Sequence, residues 1–256
     1  MESNEKLQNL FIAARNARDT SDIDTAIRHY EEISAIEPNN WEAFFYLVVL
    51  KTNTVKYGEI SNAAISVINC IPKVFELIVS TINNEEDKKR IVKEVVDQCY
   101  KTTVWLETAS YNFYNEITRN YLSFTLITAA VNMDAKRKAR YESAKRMVNI
   151  GNIMCLCANT IESTFGMEDK FYQNLAVTSW KKLIDVHFEH IKRCKVAVFS
   201  EESIQKFSTK IKKYDTSFEV PNIKPTEKRN YTIIAILIAL AVLGISVLWY
   251  WWIYFI

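Results

Sequence analysis

The last 26 residues, 231–256, read YTIIAILIALAVLGISVLWYWWIYFI and contain no charged side chain. As a helix the run extends ~39 Å at 1.5 Å per residue, longer than the ~30 Å hydrocarbon layer of a bilayer. A helix apolar on every face must be enclosed by protein or lipid, and the length favours lipid, so the pattern predicts a membrane-spanning helix over 230–256. Lys224, Lys228 and Arg229 lie on its near side and no charge follows it. The positive-inside bias then places the preceding residues in the cytoplasm. Trp249, Trp251 and Trp252 supply amphipathic rings for the far interface. Residues 1–10 carry Glu2 and Glu5 and lack the apolar stretch of a secretory signal. The expectation is a single-pass, tail-anchored protein with its N-terminal part in the cytoplasm.

About 230 residues remain for water-facing structure, enough for one large domain or two modest ones. With 4 glycines and 4 prolines in 256 residues, the tight turns and Gly-rich loops of sandwiches, barrels and nucleotide-binding α/β folds are in short supply. At 24% charged and 49% hydrophobic residues, wholesale disorder is excluded. The five cysteines form no C-x-x-C pair, which reads as reduced thiols packed as small hydrophobes. Residues 192–229 carry ten basic and five acidic side chains, against 22 and 25 in residues 1–191, so the positive excess sits just before the apolar run.

Helical periodicity dominates the rest. Leu7, Leu10, Phe11, Ala14 and Ala17 share one face of a first helix capped by Ser3 or Asn4. A second helix starts near Ile23 and must end before Pro38. Helices over 41–53 and 60–71 follow, with Pro72 marking a break or kink. The stretch 85–132 has neither glycine nor proline, with Asn84 as its cap. Further helices are expected over 134–165, closed by Gly166, then 170–198 and 200–213. The fold class is all-α with about eight cytoplasmic helices. The expected domains are 1–72, helical hairpins; 73–213, a bundle packed on them; 214–229, a basic Pro-containing linker; and 230–256, the transmembrane helix.

Pro38 and Pro72 stand 34 residues apart, and Ala14, Ala26 and Tyr30 fall at the small and aromatic positions of a 34-residue helix pair. The run Glu37-Pro38-Asn39-Asn40-Trp41-Glu42-Ala43 looks like a junction into a next unit. Over residues 7–72 the chain resembles the tetratricopeptide repeats, with Leu10 and Ala17 where that family commonly has Trp and Tyr. The resemblance implies a partner-binding groove at Gln8, Phe11, Arg15, Arg18, Glu42, Phe45 and Val49. That groove would take a peptide or helical segment of a protein partner. Two such units need a further cap to close a core, which the residues after 72 must supply.

His187 and His190 are i, i+3 neighbours on a helix, a geometry two metal ligands can use. His187, however, is in register with Leu183, Ile184, Ile191 and Cys194, an apolar stripe, so a buried hydrogen-bonded histidine is the stronger expectation and no metal is assigned. The basic cluster Lys136, Arg137, Lys138, Arg140, Lys145 and Arg146 has only Tyr141 interleaved, too few rings for nucleic acid. No phosphate loop, H-E-x-x-H or G-x-S-x-G occurs, so neither an enzyme nor a cofactor is expected. The function expected is a membrane-anchored adaptor or scaffold. A SNARE-like fusion protein and a membrane-active effector using the aromatic-rich helix are the alternatives.

Overall fold

Side-chain caps mark several of the helix starts. In the computed structural model, which describes residues 2–120, 126–194 and 199–222, α1 runs Glu2–Asp19, α2 Ile23–Ile36, α3 Trp41–Thr52 and α4 Ile60–Thr81. They are followed by α5, Glu85–Asn120; α6, Leu126–Phe165; α7, Lys170–Cys194; and α8, Ser200–Lys212. A single 3-10 turn, Tyr57–Glu59, precedes α4, and no strand occurs among the described residues. The Asp22 side chain accepts from Thr25 N, and Asn40 accepts from both Glu42 N and Ala43 N at 3.1 Å. Asn84 accepts from Asp87 N at 3.0 Å. Each cap satisfies amide donors that the first helical turn leaves unpaired. Gly166 ends α6 with φ +73°, a left-handed geometry that glycine adopts without a Cβ penalty.

Several boundaries differ from expectation. Ser3 and Asn4 lie inside α1 rather than capping it. Helix α6 begins at Leu126, upstream of the expected Asp134. Pro72 sits inside α4, which continues to Thr81. A mid-helix proline forfeits the bond to the residue 68 carbonyl and costs about 3 kcal/mol. Here the cost is offset on both sides: Val67, Cys70 and Ile71 before it, and Val74, Phe75, Leu77 and Ile78 after it, are all buried. At roughly 1.5–3 kcal/mol for each large apolar side chain buried, packing outweighs the proline.

The helices form a two-layer array. Among the described residues, each helix backbone packs on its sequence neighbour, and α3 also on α5, α5 on α7, α4 on α6 and α6 on α8. Odd-numbered helices α3, α5 and α7 therefore share one layer, and α4, α6 and α8 the other, with one core between them. That core includes Ala14 and Ala26, Phe45 and Val49, Phe75, Val92 and Cys99, Met147 and Ile150, Trp180, and Ile204 and Phe207. Cys70, Cys99, Cys157 and Cys194 are buried free thiols. Burial lifts the Cys70 thiol to about 12, so it stays protonated at neutral pH. Among the described residues, one stretch, Tyr57–Thr81, is long and apolar enough to cross a membrane by length and composition. It is α4 with its leading 3-10 turn, and α4 is packed against α3, α5 and α6. The run 230–256 with Trp249, Trp251 and Trp252, and its flanking Lys224, Lys228 and Arg229, lie outside the described residues.

Candidate partner-binding face

Of the groove residues, Gln8 is exposed and Phe11 half-buried on α1, with the Arg15 guanidinium 5.3 Å from the Phe11 ring centroid. One carboxylate brings side chains of α1 and α3 together. Glu42, 4% exposed, receives Arg15 through Nε at 2.8 Å and Nη2 at 2.5 Å, and Tyr30 Oη donates to it at 3.0 Å. Arg18 Nη1 stands 4.0 Å from the same carboxylate and 3.8 Å from Glu94 on α5. The Glu42 hydrogen bond raises the Arg15 pKa further, so the guanidinium stays charged at any ordinary pH. Burial, followed by Glu42, raises the Tyr30 phenol, which therefore keeps its proton and donates it to Glu42 while its oxygen accepts from Arg18 Nη1 at 3.4 Å.

Phe45 and Val49 are fully buried and belong to the core. A partner bound on the surface cannot touch them. Nor are Arg15 and Arg18 open cations waiting for an acidic ligand, because each already faces a carboxylate. The roughly three turns of α3, WEAFFYLVVLKT, are apolar on nearly every face, so no sequence signal separates these roles.

Residues outside the expected set extend the polar strip across the odd-numbered helices. The Tyr46 ring on α3 stacks on Tyr30 with centroids 5.5 Å apart, and Arg18 lies 4.3 Å from the Tyr46 centroid. Tyr46 Oη donates to Glu94 at 2.7 Å. One turn along α5, Asp97 accepts from Lys93 and, at 3.3 Å, from Lys182 on α7. The Lys182 ammonium sits 4.3 Å from the Tyr100 centroid. Charge and ring thus alternate from α1 through α3 and α5 to α7. Beyond them on α5, Val104 and Trp105 remain 39% and 37% exposed. The sequence signal for this strip was the i, i+3 pair Glu94 and Asp97 within an otherwise basic and aromatic helix face, visible only once α5 is known to lie beside α3 and α7.

A second polar cluster is enclosed between α5, α6, α7 and α8. His187 and His190 are 2% and 1% exposed. His187 Nδ1 shares a hydrogen bond with Ser200 Oγ at 2.8 Å, and its ring abuts Gly151 so closely that a Cβ there would fall 2.5 Å from Nε2. His190 Nδ1 lies 3.9 Å from Glu107 Oε1 and 3.8 Å from Cys194 Sγ, while Arg193 Nη1 donates to Glu107 Oε2 at 2.7 Å. Burial pushes both histidines down to about 4 and raises Glu107. The histidines are neutral at pH 7, so His190 and Glu107 do not form an ion pair there. Their side chains turn to different partners, and among the described residues no group of three or more His, Cys, Asp or Glu is disposed to hold a metal. Compared with known protein families, curated proteins and solved structures, the chain matches none of them.

Proposed function

We propose that this chain is a membrane-anchored protein-interaction module. Its apolar run 231–256 spans a bilayer, residues preceding it face the cytoplasm, and the odd-numbered helices present the face on which a protein partner docks. The observation that carries this reading is the strip running from Arg18 and Tyr46 through Glu94 and Asp97 to Lys182, bordered by the exposed Val104 and Trp105. Its charges are already paired within the protein, so a partner gains little from bare charge. Apolar surface and shape supply the affinity instead, and a partly exposed tryptophan is a common anchor for such contacts. The tetratricopeptide-like spacing of the first two hairpins and the nearest-neighbour packing of the helices support the same use, since stacked helix pairs form extended binding faces. Anchoring adds a location: confinement at one surface raises the effective concentration of whatever is bound there.

Two measurements test the parts separately. Flotation with vesicles in the absence of detergent reads the anchor, and a chain that stays at the bottom of the gradient removes it. Proximity labelling by the full chain, compared with Val104→Glu/Trp105→Glu, reads the face. Loss of a defined subset of labelled proteins from the variant, with flotation unchanged, is the expected result. Identical labelled sets from both chains would discard this face as the docking surface.

A further inference from the structure

The chain does not leave the fold where α8 ends. Tyr214 N and Asp215 N both donate to Ile211 O, at 2.9 and 2.8 Å, and Phe218 N donates to Asp215 O at 3.3 Å, curling residues 213–218 back on the array. The Tyr214 ring stacks over Trp180, centroids 6.3 Å apart, and Trp180 is the largest fully buried side chain among the described residues. Tyr214 and Phe218 both pack against the core. Lys181 on α7 holds the turn, its Nζ 2.6 Å from Asp215 Oδ2 and 5.7 Å from the Phe218 centroid. The linker expected from residue 214 is thus a clasp through residue 218.

The clasp turns on one carboxylate. Asp215 uses Oδ2 for Lys181 and Oδ1 for Ser217, which donates from its backbone N at 3.0 Å and its Oγ at 2.6 Å. The Lys181 bond first, and Ser217 second, hold the Asp215 carboxyl at about 2, so it is ionised throughout the neutral range. Ser217 is exposed, as are Thr216, Glu219 and Val220, and no helix constrains the chain between 213 and 222. A modifying enzyme can therefore draw this segment into its own groove without unfolding a helix.

We propose that Ser217 is a phosphorylation site and that its phosphate opens the clasp. The reaction is transfer of the γ-phosphoryl group of ATP by a protein kinase. The Ser217 Oγ–P bond forms as the β–γ bridging P–O bond breaks, the hydroxyl proton passes to the kinase base and then solvent, and ADP leaves. The product replaces a hydroxyl that donates to Asp215 with a group of charge ≈ −1.5 to −2 at the same position. Two anions then face each other at hydrogen-bond distance, and the pair that holds Lys181 is lost. With the proposed anchor in place, on which only this consequence rests, release of residues 213–218 adds up to ~20 Å of chain between the array and the anchor.

The test is hydrogen exchange of the full chain in detergent micelles, with phosphoserine installed at position 217 by suppression of a stop codon. The amides of Asp215 and Phe218 are expected to exchange about tenfold faster than in the unmodified chain, while those around Trp180 in α7 stay unchanged. Ser217→Ala removes one neutral donor and should accelerate the same amides by about threefold or less. Unchanged or slower exchange in the phosphorylated chain, as when the phosphate itself captures Lys181, overturns the proposal. So does the absence of phosphate at Ser217 in chain isolated from its own cells with phosphatases inhibited. Because the clasp is read in micelles and the anchor by vesicle flotation, either can fail without the other.

Discussion

The two ends of the array each bury a glutamate to 4% exposure, and they treat it in opposite ways. Glu42, between α1, α2 and α3, has both oxygens occupied by Arg15 and one of them also by Tyr30. Glu107, between α5, α6 and α7, gives Oε2 to Arg193 and leaves Oε1 without a hydrogen-bond partner. Near it, His190 Nε2 is also unpartnered. A buried carboxylate whose lone pairs are filled holds two helices in register. A half-filled one instead stores a desolvation penalty, about 1–3 kcal/mol for each missing bond. The N-terminal hairpins are therefore pinned by charge, and the C-terminal bundle stands on apolar packing around a polar pocket it tolerates.

Acid should separate the two regions most strongly. His187 and His190 titrate near 4 in the fold and near 6.5 when unfolded. Between those values the unfolded chain binds more protons, so stability is full above pH ~6.5 and falls as the pH drops towards 4. Each histidine contributes a loss of up to about 3 kcal/mol. Glu107 works in the opposite direction, since its raised pKa makes protonation easier in the fold. Urea unfolding at pH 7, 5 and 4 should show the midpoint falling, with exchange protection lost first around α7 and α8. In His187→Gln/His190→Gln the dependence over pH 4–6.5 should flatten. An equal slope in that variant would place the acid sensitivity elsewhere.

Glu42→Gln comes next, at about 2–3 kcal/mol. The amide keeps the volume but turns a donor towards Arg15 or Tyr30, where two donors then meet. Denaturant unfolding measures the loss, and Arg15, with a side chain 52% exposed, can rehydrate and so limits it. A loss under ~1 kcal/mol would mean the hairpins do not depend on this carboxylate.

How much of this was readable beforehand divides along sequence distance. The caps at Asn84, the stop at Gly166 and the helix end before Pro38 are local signals, and the structure places helix ends there. His187 lies in the apolar stripe its spacing assigns, buried against Gly151. Pro72 misled because a local breaker was overridden by burial on both sides of it. The resemblance puts Glu42 in a groove, and nothing near it in sequence reveals Arg15, 27 positions away, or the enclosure by Tyr30. Arg193 and Glu107 are separated by 86 positions, and His190 by almost as many. No periodicity encodes such pairs. They depend on which helices become neighbours, which the chain settles by packing.

The Gly151→Ala change sharpens the comparison on the α6 side. Its Cβ would meet His187 Nε2 at 2.5 Å, so the ring must shift and strain its bond to Ser200. Overpacking of this kind costs about 1–3 kcal/mol, partly recovered through the better helix propensity of alanine. Thermal unfolding reads the net loss, and the His187 ring resonances should move with it. A variant as stable as the parent, with those resonances unmoved, would show that the ring has slack the geometry does not suggest.

The smallest effect is expected from Glu107→Gln, and it is the one that isolates the contrast. Burial raises the Glu107 pKa, so a neutral amide of the same shape relieves a desolvation penalty as it gives up the pair with Arg193. Arg193, with a side chain 38% exposed and its guanidinium 5.4 Å from the Tyr111 centroid, keeps water and a ring when the charge opposite it disappears. The amide can also offer a donor where Glu107 has an idle oxygen. Stability at pH 7 should therefore change by less than ~1 kcal/mol in either direction, against the larger loss for Glu42→Gln. Should both glutamates prove equally costly to replace, the Glu107 charge is held as firmly as that of Glu42, by Arg193 or by a charged His190 as well. A His190 pKa above 6.5 by NMR titration would mark the second case, and in both the difference between the two ends of the array would disappear.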